Sequence, residues 1–242
     1  MCVFVSISKE IEELEKRFRA EADGRINYKP VYHATAFTHP VLPIITQARP
    51  SLISFYEWGL IPFWVKDYET AKKIRINTVN AKAETLAVKP SFRHTLKDKR
   101  CLVITDGFFE FQDVNGKKYP WYIRLKDQPL FAMAGLSDCW TDRSTGEIKN
   151  SFTIITTEAN PLMAKIHNRK KRMPVILSPE DEDAWISKTV DKGELNALLR
   201  PFPENKMEAW TVSRLLTSGD KATNVPEVMQ PYEYSELTGF LF

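Results

Sequence analysis

The sequence of 242 residues lacks the features that define several broad protein classes. Its cysteines, Cys2, Cys101 and Cys139, are too few and odd in number for a disulfide framework. Its 9 glycines and 15 prolines follow no period, which excludes collagen-like and low-complexity chains. No apolar run approaches the roughly 18 residues that span a bilayer, and the segment before Lys9 lacks the basic start and long apolar core of a signal peptide. We therefore expect a soluble, cytoplasmic protein.

The motifs of common cofactor and metal sites are also missing from the sequence. It contains no P-loop, no dinucleotide-binding fingerprint and no Cys-x-x-Cys pair, and its 4 histidines lie far apart along the chain. We therefore expect neither a metal ion nor a cofactor. Because there is no internal repeat and no linker-like stretch, residues 1–242 are predicted to form a single domain, acting as a monomer.

Charge is nearly balanced overall but unevenly distributed. The chain has 34 Lys and Arg against 31 Asp and Glu, which gives a net charge of +3. Between Lys66 and Arg100, however, ten residues are basic and four are acidic, and five more basic residues lie between Lys165 and Arg172. Such segments indicate either a face that binds polyanions or two solvated loops. Charge alone leaves both interpretations open.

Short strands dominate the hydrophobic pattern, and helices are few. Helices are predicted over residues 9–22 with Ser8 as N-cap, from Ser178 onward, and over residues 194–199. Strands are predicted over residues 101–105, 119–125, 130–136, 152–156 and 174–177, with a hairpin turn at Asn115-Gly116. This order favours an α+β fold with a mixed, mostly antiparallel, barrel-like sheet and flanking helices. The pattern does not decide whether the sheet closes.

Cys2 is a candidate nucleophile because of its position. Its small side chain is compatible with removal of Met1, which would expose an α-amine with a pKa near ~8. About a quarter of that amine is neutral near pH 7.4, against roughly 0.1% of an ordinary lysine. The thiol two carbons away can trap an imine that the amine forms, so an N-terminal cysteine captures aldehydes. The alternative is an incidental residue at a frayed chain end.

Glu110 is a candidate for proton transfer. In a strand it shares one face with Phe108, while Phe109 and Phe111 point to the other. A carboxyl among aromatic side chains loses water, which raises its pKa and suits general acid–base catalysis. The alternative is an edge acid paired with a lysine.

Three polar residues near the basic segments are weaker candidates. His167 lies within the second basic run, where an exposed loop histidine is the ordinary interpretation and a neighbouring phosphate would favour its protonated form. Asn80 and Lys82 offer an amide and a cation beyond the first run of lysines. None of them indicates a function by itself.

Five motifs follow one another along the chain: Met-Cys at 1–2, Trp-Gly-Leu-Ile-Pro-Phe-Trp at 58–64, Asn-Ala-Lys-Ala-Glu-Thr at 80–85, Asp-Gly-Phe-Phe-Glu-Phe at 106–111, and His167 followed by Arg-Met-Pro at 172–174. In this order they resemble the SRAP family of abasic-site processing proteins. The resemblance covers residues 2–213. It implies a single domain with a β-barrel-like core, flanking helices and a basic groove for single-stranded DNA that contains abasic sites.

The resemblance also implies roles for individual residues. Cys2 would form a thiazolidine with the ring-opened sugar, Asn80 would hold Cys2 or the sugar, Glu110 would move protons, and His167 would position the sugar or its 3′ phosphate. The implied DNA-binding residues are Trp64, Lys82, Thr156, Arg169 and Arg172. The resemblance further implies a role in the DNA damage and SOS responses, with lyase and self-processing peptidase activities.

The chain departs from the family pattern at four places. Val3-Phe4 follow Cys2 where Gly-Arg is usual, and residues 32–37 lack the usual Asn-x-x-Pro. Lys82 replaces an arginine, which removes a bidentate phosphate contact. Three extra residues precede Arg172-Met173, so that either Arg169 or Arg172 corresponds to the family arginine.

Two other functions remain open at this level. A thiol hydrolase would use Cys2 as nucleophile, His167 as base and Asn80 as orienting group. A non-catalytic module would bind single strands through its basic segments and aromatic residues such as Trp64.

Overall fold

The computed structural model describes residues 2–24, 27–218 and 223–237. The predicted loss of Met1 therefore concerns a residue outside these ranges. The strands are β1 (Phe4–Ile7), β2 (Glu21–Ala22), β3 (Val31–Thr35), β4 (Val41–Thr46), β5 (Arg49–Trp58), β6 (Asn80–Lys82), β7 (Arg100–Thr105), β8 (Gly107–Val114), β9 (Lys117–Leu125), β10 (Phe131–Thr141), β11 (Ile148–Glu158), β12 (Arg172–Pro174), β13 (Ile176–Leu177) and β14 (Met207–Thr211). The helices are α1 (Ile11–Phe18), α2 (Tyr68–Asn77), α3 (Thr95–Asp98), α4 (Pro161–Ile166), α5 (Pro179–Ile186) and α6 (Lys192–Leu198).

Five strands form a closed barrel. They pair in the order β11-β10-β7-β4-β5 through antiparallel contacts, and β5 then pairs with β11 in parallel, where Ser151 faces Glu57 and Phe152 faces Trp58. Closure removes the exposed edges that an open sheet would present. The structure thus confirms the predicted α+β class and answers the question of closure that the sequence left open.

A second, antiparallel sheet packs beside the barrel in the order β14-β9-β8-β1-β3. One apolar core joins the two, because Cys2, Val5 and Phe108 of the second sheet region are buried in the same cluster as Ile44 and Val103 of the barrel. The start of the chain is therefore part of the core, although chain ends are commonly exposed.

Local sequence signals predicted several elements correctly. The β8–β9 hairpin turns at Asn115 (φ 52°) and Gly116 (φ 81°), whose left-handed conformations suit a tight type I′ turn. Ser178 caps α5 by accepting a hydrogen bond from the backbone N–H of Asp181. None of the helices in the described part of the chain is both long and apolar enough to cross a membrane.

Two predicted elements are corrected by the structure. The helix predicted over 9–22 begins at Ile11 and is capped by Glu10, because Ser8 instead donates to Asp106 on a distant turn. It ends at Phe18, and the residues after it form β2 beside β5. The strand predicted over 174–177 is two strands, since β12 pairs with β11 and β13 with β10.

Candidate active site

The first strand and the strand that carries Glu110 are fixed to each other by hydrogen bonds. β1 pairs with β8 so that Val5 faces Phe108, and this register, continued by two residues, brings Val3 opposite Glu110. The Asp106 carboxylate accepts hydrogen bonds from the Ser6 hydroxyl (2.5 Å) and from the Ser8 backbone N–H (2.8 Å). These hydrogen bonds from Ser6 and Ser8 to Asp106, called the Asp106 clamp below, set the position of Cys2 relative to Glu110.

Cys2 is buried and is held through its carbonyl group. Its exposed fraction is 1%, and its carbonyl oxygen accepts a hydrogen bond of 2.7 Å from Nδ2 of Asn80. Asn80 is positioned by β6, which pairs in parallel with β11. The Oδ1 atom of Asn80 is buried and accepts no hydrogen bond within the described residues. The amide therefore fixes the backbone at Cys2 and keeps one acceptor beside it.

Glu110 and His167 form the polar pair of the site. Both are buried, with exposed fractions of 5% and 7%. Glu110 Oε1 lies 3.8 Å from His167 Nδ1, and the same Nδ1 lies 2.8 Å from the carbonyl oxygen of Arg172. Because a carbonyl oxygen only accepts hydrogen bonds, Nδ1 carries the ring proton and donates a hydrogen bond to Arg172 O. The lone pair of the neutral imidazole is therefore on Nε2.

His167 reaches this position because the loop after α4 docks on β8. Asn168 Nδ2 donates to the carbonyl of Asp113 (2.8 Å), and its Oδ1 accepts from the backbone N–H of Asp113 (3.1 Å). The Asn168 amide thus forms with Asp113 the two hydrogen bonds that the backbone of a neighbouring strand would form. At the other end of α4, Asn160 caps the helix by accepting from Met163 N–H (2.8 Å).

Burial determines the protonation of the site. Burial lowers the pKa of His167 to about 4 and raises the pKa of Glu110 to about 7. The pKa of Glu110 is therefore higher than that of His167, the reverse of the usual order. Because His167 is neutral near pH 7, the two side chains do not form an ion pair there. Burial, with a further contribution from the Glu110 charge, also raises the pKa of the Cys2 thiol. A carboxyl with a pKa near 7 can both deliver and accept protons at physiological pH.

A cleft of about 460 Å³ opens over these residues. Glu110 and His167 lie at its base, and an aromatic wall defined by Phe4, Phe37 and Phe111 forms one side. The basic side chains that line the cleft are Lys118, Arg169 and Lys170. The cleft therefore presents cations and aromatic surface beside Glu110 and His167.

The predicted DNA-binding residues lie in different surroundings. Arg169 lines the cleft and pairs with Asp113 at 3.0 Å, whereas Lys82 and Trp64 are exposed elsewhere on the surface. Arg172 is bound to Glu84 through both terminal nitrogens (2.5 and 3.0 Å) and to the carbonyl of Thr156 (2.6 Å). Thr156 is buried, with 1% exposed. These positions leave the four residues outside the cleft as predictions whose role the geometry does not reveal.

Sequence reasoning missed three features of the site. The Asp106 clamp, the docking of Asn168 on β8 and the aromatic wall all depend on contacts between distant parts of the chain. Asp106 opens a motif that was singled out for Glu110, so it had a local signal. Asn168 had none, and the only signal for Phe37 was its place at the end of residues 32–37, which depart from the SRAP pattern. Within the described ranges, no group of three or more His, Cys, Asp or Glu side chains is placed to hold a metal ion.

Comparison with known proteins identifies the family. A family model described as SOS response associated peptidase (SRAP) matches residues 1–218. The chain belongs to this family. It is 38% identical over 237 residues to the abasic site processing protein YoqW of Bacillus subtilis, covering 96% of this chain and 100% of that protein. The abasic site processing protein HMCES of Xenopus tropicalis is 33% identical over 230 residues, covering 84% of this chain and 66% of that protein.

Solved structures agree with this assignment. A crystal structure of a protein from Bacteroides thetaiotaomicron matches the SRAP fold described above with a TM-score of 0.90 and 39% identity, covering 96% of this chain and all of that one. A second, from Bordetella bronchiseptica, matches with a TM-score of 0.75 and 25% identity, covering 88% and 100% of the two chains. The predicted resemblance to SRAP proteins is therefore confirmed.

Proposed function

We propose that this protein captures abasic sites in single-stranded DNA by forming a thiazolidine between the sugar aldehyde and Cys2. The observation that carries the proposal is the arrangement of the four predicted residues in two neighbouring pairs. Asn80 is bonded to the Cys2 carbonyl, and Glu110 and His167 lie 3.8 Å apart and line one cleft. The pairs are close enough that the charge of Glu110 helps to raise the pKa of the Cys2 thiol. The names of its SRAP relatives point to the same lesion.

The chemistry begins with the sugar. Glu110 takes the proton of the C1′ hydroxyl and returns a proton to the ring oxygen, which opens the sugar to an aldehyde. After Met1 is removed, the Cys2 amine attacks C1′, and a carbinolamine forms. Glu110 takes a proton from the carbinolamine nitrogen and delivers it to the hydroxyl group, which leaves as water, and a neutral imine remains. A carboxyl whose pKa is about 7 suits both directions of transfer.

The thiol acts last. Its Sγ adds to the imine carbon while its proton passes to the nitrogen, and the five-membered thiazolidine ring closes. Burial raises the pKa of this thiol, so little thiolate is present before the imine forms. This favours the aldehyde trap over the thiol hydrolase, which needs a ready thiolate for its first step. If closure is slow, the imine can lose a C2′ proton to solvent and the 3′ phosphate as leaving group, which is a lyase side reaction.

His167 serves as a neutral hydrogen-bond acceptor in this scheme. Its Nδ1 proton is held by the Arg172 carbonyl, and its pKa of about 4 keeps Nε2 unprotonated near pH 7. Nε2 is therefore suited to accept a hydrogen bond from the sugar hydroxyl that ring opening releases. Arg169, Lys118 and Lys170 supply cations for the flanking phosphates.

The test is a denaturing gel of the protein with single-stranded DNA that carries one abasic site. We expect a shifted, heat-stable band from the wild type and from Cys139→Ala, whose cysteine is exposed and remote in sequence from the site. Cys2→Ala should give no stable band, because a lone amine forms only a reversible imine. Intact-mass measurement should show loss of Met1. No band from the wild type, or a full yield of stable adduct from Cys2→Ala, would overturn the proposal.

A further inference from the structure

The aromatic wall of the cleft contains an exposed ring, Phe37, in the same cleft as Val3, the residue after Cys2. Phe37 is 68% exposed, while Phe4 and Phe111 are partly buried. The Phe4 ring lies 6.2 Å from the Phe37 ring and 5.8 Å from the Phe111 ring, with interplanar angles of 71° and 67°. Edge contacts of this kind leave the outer ring with an open face.

The backbone holds Phe37 in place next to the reactive residue. It lies in a short 3₁₀ helix, Ala36–Thr38, whose Ala36 N–H donates to the carbonyl of Val3 at 2.9 Å. The turn is therefore attached to the residue that follows Cys2. An apolar ring that is fixed by its backbone and left open to water still releases free energy when a partner buries it.

The charges across the cleft identify the kind of molecule that covers this ring. Lys118, Arg169 and Lys170 line the same cleft, against the single carboxylate of Asp113 and the half-protonated Glu110. A partner with flat apolar faces and regularly spaced negative charges fits both the aromatic wall and the basic side chains of the cleft. Resting on the function proposed above, we propose that the aromatic wall is a stacking site for the nucleobase adjacent to the abasic site, with Phe37 as its principal contact.

Two of the four sequence departures from the SRAP pattern meet at this wall. Val3-Phe4 stand where Gly-Arg is usual, and Phe37 ends the stretch that lacks the usual Asn-x-x-Pro. In the fold, Phe4 pairs with Thr35 across β1 and β3, one strand position from the turn that carries Phe37. Near Cys2, this chain thus has aromatic rings where the family pattern has an arginine. A stacking contact on such a ring is screened little by salt.

The experiment measures affinity with a tetrahydrofuran abasic analogue, which binds without reacting, in a single strand. One oligonucleotide carries purines on both sides of the analogue, and a second carries further tetrahydrofuran spacers there instead. We expect Phe37→Ala to weaken binding to the first about tenfold, because the variant loses the aromatic face on which a neighbouring base stacks. Binding to the second should not change, because no base is present to stack.

Control variants separate stacking from other effects. Phe37→Trp should retain affinity, and Phe37→Leu should lose it, because leucine keeps apolar area without a flat face. Ile148→Ala removes an apolar side chain of similar exposure (62%) at the start of β11 and should bind as the wild type does. Phe37→Ala should leave the salt dependence unchanged, whereas Arg169→Ala should lower the log–log slope by about 0.7.

Two outcomes would overturn the stacking site. One is equal loss of affinity for both oligonucleotides in Phe37→Ala, and the other is no loss for either. Failure of the proposed function is distinguishable, because it is detected as absence of crosslinking by the wild type on reactive abasic DNA. The dependence of affinity on the flanking base, measured with the unreactive analogue, tests the stacking site separately.

Discussion

Glu110→Gln is predicted to make the protein more stable and less active at the same time. The Glu110 side chain is buried, and burial raises its pKa from 4.5 to about 7. Between these pH values the folded state therefore binds more protons than the unfolded state, so the free energy of unfolding falls as pH rises through this window. Because glutamine has nearly the same shape and no charge, the Glu110→Gln variant should not lose free energy of unfolding as pH rises through this window.

The size of the effect follows from the pKa difference. Each pKa unit corresponds to about 1.4 kcal/mol, so ionised Glu110 destabilises the fold by about 3 kcal/mol above pH 7. The stability difference between Glu110→Gln and the wild type should be small near pH 4.5 and grow to about 3 kcal/mol by pH 8. For a chain of this size, that corresponds to a rise in Tm of about 6–12 °C.

Thermal and urea unfolding at several pH values measure this difference directly. Glu180→Gln is the control, because hydrogen bonds at the start of α5 lower the pKa of that exposed carboxyl, so its removal should give no gain at high pH. A Glu110→Gln protein that is no more stable than the wild type at pH 8, or that gains equally at every pH, would refute the reasoning.

The same variant tests the role of the carboxyl in the reaction. General acid–base assistance contributes ~10²–10⁴-fold, so Glu110→Gln should crosslink abasic DNA at least about tenfold more slowly with near-normal affinity. The wild-type rate should depend on pH with an apparent pKa of about 7. A variant that crosslinks at the wild-type rate from pH 5 to 8 would leave Glu110 with a structural role only.

Three further predictions concern the groups around the site. Gly107→Ala should destabilise the fold by ~1–3 kcal/mol, because a Cβ there would overlap the Tyr122 phenol, and Tyr122→Leu should restore part of the loss in a double variant. Asn168→Ala should cost ~1–2 kcal/mol in urea unfolding and slow crosslinking, since it removes both hydrogen bonds to the Asp113 backbone. His33 has two buried ring nitrogens that find no hydrogen-bond partner among the residues that the structure describes, and burial lowers its pKa to about 4. Its protonation in the unfolded state should therefore reduce wild-type stability as pH falls from 6.5 to 4, and His33→Phe should reduce that pH dependence.

Local chemistry determined what the sequence could predict. The Asn115-Gly116 turn and the Ser178 cap are each decided by a few adjacent residues, and both are confirmed. The start of the first helix was wrong, because Ser8 had two possible partners and only the fold shows that Asp106 is the one it binds. Closure of the barrel depends on the pairing of Ser151 with Glu57, residues that no periodic pattern connects.

The candidate site shows the same division between local and distant information. Residue type and motif order were sufficient to select Cys2, Asn80, Glu110 and His167. They gave no indication that His167 would be buried, since its neighbours are basic and the ordinary expectation was an exposed loop. Its burial comes from Asn168, which docks the loop on a strand 55 residues away in sequence. The protonation states, which depend on burial, could therefore not be predicted from the chain alone.

Burial disfavours the charged form of each of the three candidate groups, Cys2, His167 and Glu110. The thiol of Cys2 holds its proton, His167 is neutral, and Glu110 is near the midpoint of its titration at pH 7. The core thus contains little fixed charge at the site before DNA binds, which limits the energetic penalty of placing these groups next to apolar side chains. Glu110 is the one group that changes protonation easily at neutral pH, and each proposed proton transfer before ring closure uses it. The pH dependence of stability and the pH dependence of crosslinking should therefore report the same carboxyl, and a different apparent pKa in the two measurements would separate them.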